Sequence, residues 1–131
     1  MADSVEEVVY NYLTTDSAFM ANFSAVYQLE APKSATAPYI VFWLIDDTGE
    51  QFKINTAQQG EARIQFDIWD TSQIRITRLR GVVRTKVKAL DEVYSGYRVF
   101  TTGITENTIQ RESTTDPFHQ VVDGLIRWNE E

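Results

Sequence analysis

The sequence predicts an α+β domain: an antiparallel sheet of about four strands with two main helices packed on one face. Three observations predict it. Apolar residues recur at helical spacing in two places, 5–13 and 76–90. Four other stretches, 39–45, 62–68, 97–110 and 118–128, are rich in β-branched and aromatic residues or alternate with a period of two. The order helix, strand, strand, helix, strand, strand keeps hairpins and helices in separate blocks. A chain of 131 residues suits one domain with a core of its own.

The elements follow in order. Asp3 or Ser4 caps the first helix, and Ser4 with Glu7 has capping-box spacing. Val5, Val8, Val9, Tyr12 and Leu13 then form one apolar face. Thr14, Thr15 and Asp16 signal a turn, after which Phe19, Met20 and Phe23 face the core from a short helical stretch. Residues 31–38 hold Pro32 and Pro38 and read as an extended connector. Residues 39–45 form a strand covered on both faces. The polar stretch 46–60 reads as a long hairpin loop with a short extended piece at 52–54; loops of that length usually serve a purpose or move. In 62–68, Ala62, Ile64, Phe66 and Ile68 face the core while Arg63, Gln65 and Asp67 face water. Asp70, Thr71 or Ser72 caps the second main helix, whose stripe is Ile76, Leu79, Val83, Val87 and Leu90. A strand over 97–110 is bulged near Gly103, 112–117 is a turn, and Phe118, Val122, Ile126 and Trp128 mark the last strand.

Composition narrows the chemistry. With no cysteine, disulfides, thiolate metal sites and cysteine nucleophiles are excluded. The N-terminus lacks the basic and apolar regions of a signal peptide. The longest apolar run has seven residues, against the ~20 that a membrane-spanning helix needs. A net charge of −7 disfavours a dedicated nucleic-acid binder but permits one basic patch.

Catalytic and metal signals are weak. His119 is the single histidine, with Ser113 and Asp116 near it in sequence. A triad is defined in space, and no nucleophile-elbow pattern supports one, so a surface histidine at a strand start is the favoured reading. Asp46, Asp47 and Glu50 lack the ligand spacing of an EF-hand loop and read as a solvated turn. Gly103 stands outside any phosphate-binding motif.

The strongest feature is electrostatic. Arg75, Arg78, Arg80, Arg84, Lys86 and Lys88 are half of the chain's 12 basic residues, and no acidic residue lies between Thr71 and Leu90. Arg80, Arg84 and Lys88 share one side of the helix, and Arg75 and Arg78 sit one turn apart. Three readings stay open: the solvated back of an amphipathic helix, a self-interface against an acidic neighbouring copy, or a phosphate or nucleic-acid contact. Like charges at this spacing repel, so the helix gains from opposite charges nearby.

The ordered landmarks are "YLTTDSAF" (12–19), "AP" (31–32), "PYIVF" (38–42), "QFDIWDTS" (65–72) opening the long helix, and "DPFHQVV" (116–122) leading the final strand. In this order and spacing the chain resembles the tail-completion family of tailed bacteriophages, small head–tail joint proteins also called tail terminators. The resemblance implies a hexameric ring on the head-proximal end of the tail tube. Such a ring stops tube growth and presents a surface to the head connector or neck protein. It implies a virion protein, assembled in the host cytoplasm, with no membrane partner, no cofactor, no metal and no catalysis. DNA would pass through its channel without specific binding. The resemblance also implies a further strand at 25–29. A neighbouring neck component of similar shape fits the same landmarks. The interface candidates are Arg75, Arg78, Arg80, Arg84, Lys86 and Lys88 on the helix, and Asp46, Asp47, Glu50 and Lys53 in the loop; a nucleic-acid module on the same helix and a small α+β enzyme are the alternatives.

Overall fold

The computed structural model describes residues 4–47, 59–94, 96–109 and 117–130. Helix α1 spans Val5–Thr14 and helix α2 Ser17–Met20; strand β1 spans Ala25–Gln28, β2 Tyr39–Asp47 and β3 Gln59–Asp70; helix α3 spans Gln73–Lys88; strand β4 spans Asp91–Tyr94, β5 Tyr97–Ile109 and β6 Phe118–Glu130.

This corrects the expected architecture. The protein is mostly sheet: six strands, in the order β1-β2-β3-β6-β5-β4, curl into a half-barrel accompanied by three helices. The sheet is mixed, because β1 runs parallel to β2 (Ala25 opposite Tyr39 through Gln28 opposite Phe42), while every other pair is antiparallel. The discrepancy has a local cause. Both edge strands are four residues long, too short to show a period; β1 falls where the resemblance implies a strand, while β4 (DEVY), mostly exposed, was not anticipated. The three long strands, β3, β5 and β6, run 12 or 13 residues, and right-handed twist accumulated over that length curls a sheet rather than leaving a flat layer.

Helix α1 starts where Ser4 accepts a hydrogen bond from the Glu7 N–H at 3.2 Å, with Glu6 and Glu7 in the first turn complementing the dipole. Asp16 caps α2 by accepting from the N–H groups of Ala18 and Phe19, both at 3.1 Å. One core joins the inward residues of all layers. Val5, Val8, Val9 and Leu13 come from α1, and Ile76, Leu79, Val83 and Val87 from α3. Ile40 and Phe42 come from β2, Ala62, Ile64, Phe66 and Ile68 from β3, and Val122, Ile126 and Trp128 from β6. The alternation expected for 62–68 holds, with Ala62 to Ile68 at most 1% exposed on the core face. The shift of register between Thr101 and Gly103 is the expected bulge.

Strand β2 departs from its reading. It is covered on both faces only at Ile40, Val41 and Phe42; further along, Trp43 and Ile45 are 36% and 37% exposed. An apolar run alone cannot tell a strand buried at both faces from one that leaves the core halfway. Positions 46, 47, 59 and 60, read as loop, belong to strands. The short extended piece at 52–54 lies outside the described residues, as does most of the 112–117 turn. No helix among the described residues is long and apolar enough to cross a membrane.

Candidate interaction surfaces

The basic helix is set in place by its entry turn. Asp70 is fully buried, and its carboxylate accepts from the Thr71 N–H (2.7 Å) and the Ser72 N–H (3.4 Å). Arg75, one turn into α3, clamps the same carboxylate with Nε at 2.6 Å and with Nη2. Ser72 caps the helix through its hydroxyl, which accepts from the Arg75 N–H at 3.2 Å. Burial, the largest single influence on Asp70, opposes its charge. The Arg75 hydrogen bonds, the two backbone donors and the Arg75 charge together outweigh it and hold the carboxyl below its ordinary value.

That balance predicts an acid limb of stability. Asp16 and Asp91 are also held low, by the hydrogen bonds of Lys86 and Arg98 respectively. Groups depressed in the folded state stabilise it fully above the unfolded carboxyl value of ~4 and lose that contribution as pH falls through the folded value. The urea midpoint should therefore drop steeply below about pH 4. Asp70→Asn should lower the midpoint at pH 7 and flatten that drop, as read by urea titrations at several pH values.

Three other cations of α3, Lys86, Arg84 and Arg78, find partners inside the chain. Lys86 Nζ lies 2.8 Å from Asp16 Oδ2 and 3.9 Å from the centre of the Tyr12 ring, while the Tyr12 hydroxyl donates to the Lys86 carbonyl at 2.7 Å. This knot ties α1 and the α2 cap to the end of α3. Arg84 Nε lies 3.5 Å from Glu106 Oε1 on β5, and Arg78 Nη1 reaches Asn22 Oδ1 at 3.5 Å. Arg80 is half-buried. Lys88 is exposed and makes no ion pair among the described residues. Much of the complementary acid for the basic helix is thus supplied by Asp70, Asp16 and Glu106 of its own chain. Position 86 was legible as a charge, but Asp16 as its partner, 70 residues away, was not.

Between α3 and β5 lies an open cleft of about 480 Å³, lined by Arg84, Lys88, Thr101, Thr102, Gly103, Ile104 and Glu106. Its two cations and single carboxylate favour an acidic or hydrogen-bonding occupant.

The sheet face away from the helices carries a second constellation. Trp69 stacks on His119, ring centres 3.8 Å apart and planes at 8°. Asp67 accepts from Trp43 Nε1 (3.1 Å) and Gln65 Nε2 (2.7 Å). His119 Nε2 is 3.2 Å from Asp67 Oδ1 but is not aligned for a hydrogen bond. Arg63 pairs with the buried Asp123 at 2.8 Å. The cross-strand register explains the grouping, since Trp69 stands opposite both Tyr39 and His119. Sequence reasoning singled out His119 but missed Trp43 and Trp69. The available signal was an aromatic residue at a water-facing position of an alternating strand.

The other expected site residues are placed as follows. Asp46 and Asp47 end β2, paired in register with Arg63 and Ala62. Glu50 and Lys53 lie outside the described residues, as do Ser113 and Asp116; among the described residues His119 stacks on Trp69, lies beside Asp67 and stands opposite Ile109 in the sheet. Among the described residues there is no cluster of three or more histidine, aspartate or glutamate side chains able to hold a metal ion.

A curled mixed sheet with a capped basic helix along it and an open, charged cleft beside that helix frames these groups. Among solved structures its fold is similar to that of the bacteriophage SPP1 gp17 protein, with a TM-score of 0.61 and 11% sequence identity over 96% of this chain and 88% of that one. At that identity the likeness is one of fold. No protein-family profile matches the chain, and no curated protein matches it.

Proposed function

We propose that this protein is a structural component of the head–tail joint of a tailed phage, a tail terminator that caps the tail tube as a ring and offers a surface to the head connector. The observation that carries this reading is the agreement of two independent likenesses. The fold is similar to that of a phage protein over 96% of this chain and 88% of that one, and the sequence landmarks, in order, resemble those of the tail-completion family. The chemistry is consistent with a non-catalytic role, since charged side chains are engaged in pairing elements to one another. The acidic net charge suits a channel through which DNA slides without sticking.

A phosphate or nucleic-acid module on α3 is the less favoured alternative. Arg75, Arg84 and Lys86 are already within reach of the chain's own carboxylates, and phosphate contacts would have to displace them. That alternative predicts duplex binding that falls steeply with salt.

Light scattering on a sizing column, at low and high salt and with and without tail tubes, tests the proposal. A six-subunit mass that falls as salt rises is the expected result. A protein that stays monomeric alone and also fails to bind tubes would sink it.

A further inference from the structure

Two strands of the sheet are longer than the edge strands that cover them. Strand β1 pairs only with residues 39–42 of β2, and β4 only with 97–100 of β5. Among the described residues nothing pairs with the outer edge of β2 at 43–47 or with that of β5 beyond 101. The last contacts on each side mark where cover ends: the Leu29 N–H donates to the Phe42 carbonyl at 3.0 Å, and the Thr101 N–H to the Leu90 carbonyl at 3.1 Å. Open edges with unspent backbone donors and acceptors invite another strand.

The two edges are chemically different. The β2 stretch is WLIDD, with Trp43 and Ile45 substantially exposed and two aspartates at its end. The β5 stretch runs along the α3 cleft, whose lining includes Ile104 and the cations Arg84 and Lys88. One edge is apolar with two aspartates at the end of its sequence; the other is threonine-rich, with the cations Arg84 and Lys88 and the single carboxylate of Glu106 beside it, and the two lie at opposite sides of the sheet with β3 and β6 between them. That is the arrangement a head-to-tail contact between identical subunits requires, because each copy supplies a different surface to each neighbour.

We propose that residues 43–47 of one copy add as a strand to the open edge of β5 in the next copy, alongside the cleft of Arg84 and Lys88. This joins the half-barrels into a continuous sheet around an assembly. Main-chain hydrogen bonds hold the strand, and the negative charge that its sequence carries at 46 and 47 favours the side of the cleft's cations. The inference gives the proposed ring its interface and rests on that reading only for the closure of the ring.

The chain contains no cysteine, so a disulfide can be placed at will. Ile45→Cys and Thr102→Cys, both at exposed positions, are combined in one chain and oxidised at the concentration where the wild type assembles. A bond within one molecule is excluded, since three strand spacings, about 14 Å along the sheet, separate β2 from β5, against the roughly 7 Å a disulfide can bridge. The expected product is a covalent ladder on a non-reducing gel, with each single variant giving no ladder. As a second reading, Lys88→Glu should weaken assembly about tenfold, and Lys88→Glu with Asp46→Lys and Asp47→Lys should regain it. If the cysteine variant keeps the wild-type oligomer mass but stays unlinked, the interface is overturned while the ring survives. If neither mass nor crosslink shows any assembly, alone or on tail tubes, both fall.

Discussion

Gly124→Val should cost about 3 kcal/mol of unfolding free energy, because a side chain there drives α3 off the sheet. Gly124 lies on the core face of β6 opposite Ile64, directly beneath the helix. A Cβ at this position would sit 2.9 Å from Val87 Cγ1 and 3.6 Å from Phe66 Cε2. Val87 is on α3 and essentially buried, and a β-branched side chain in a helix has one strongly preferred rotamer, so it cannot swing away cheaply. Urea titration should show a lower midpoint with the slope unchanged. Gly124→Ala should cost less, and combining it with Val87→Ala should cost less than the two singly added, since the second change opens the space the first needs. Strict additivity would mean that this contact does not limit the approach of helix to sheet.

Trp128→Ala should cost about 3–5 kcal/mol, the usual range for removing a large buried aromatic side chain. Trp128 is 1% exposed and stands in register with Gly60 on one side and Val99 on the other. It lies flat on the β3 backbone: a Cβ at Gly60 would come within 2.2 Å of its Cζ2. Glycine at position 60 is therefore the floor of the indole's seat. Trp128→Phe should be milder than the lost volume suggests, because the buried indole N–H has no hydrogen-bond partner among the described residues and phenylalanine removes that unsatisfied donor. Against a total stability of about 5–15 kcal/mol for a domain of this kind, the alanine variant should be mostly unfolded well below the wild-type melting temperature. Circular dichroism melts of the three proteins check the order wild type, Trp128→Phe, Trp128→Ala.

Local signals were legible where a pattern repeats within one element. The spacing of Val5, Val8, Val9 and Leu13 places one helix face in the core, and that of Ile76, Leu79, Val83 and Val87 another. Alternation across Ala62, Ile64, Phe66 and Ile68 assigns strand and face together, and the Asp70-Thr71-Ser72 triplet marks the entry to α3 where Ser72 caps it. Each of these depends on residues within a turn or two of one another, and the chain carries such information directly. The basic character of 75–88 belongs to the same class.

What only the tertiary structure decided involves partners distant in the chain. The edge strands β1 and β4 have too few residues to declare themselves, and their pairing, parallel in one case, is set by which neighbour has backbone groups left to satisfy. The pairing of several cations of the basic helix was likewise decided in space. A charge seeks the nearest opposite charge whatever its sequence separation, and folding brought Asp16 to Lys86 and Glu106 to Arg84. The stacked Trp69 and His119 pair exists only because β3 and β6 align in one register. Hydrophobic period is a property of the chain and survives being read in one dimension. Charge pairing, edge cover and cross-strand stacking are properties of three-dimensional proximity, which the long strands and their curl create.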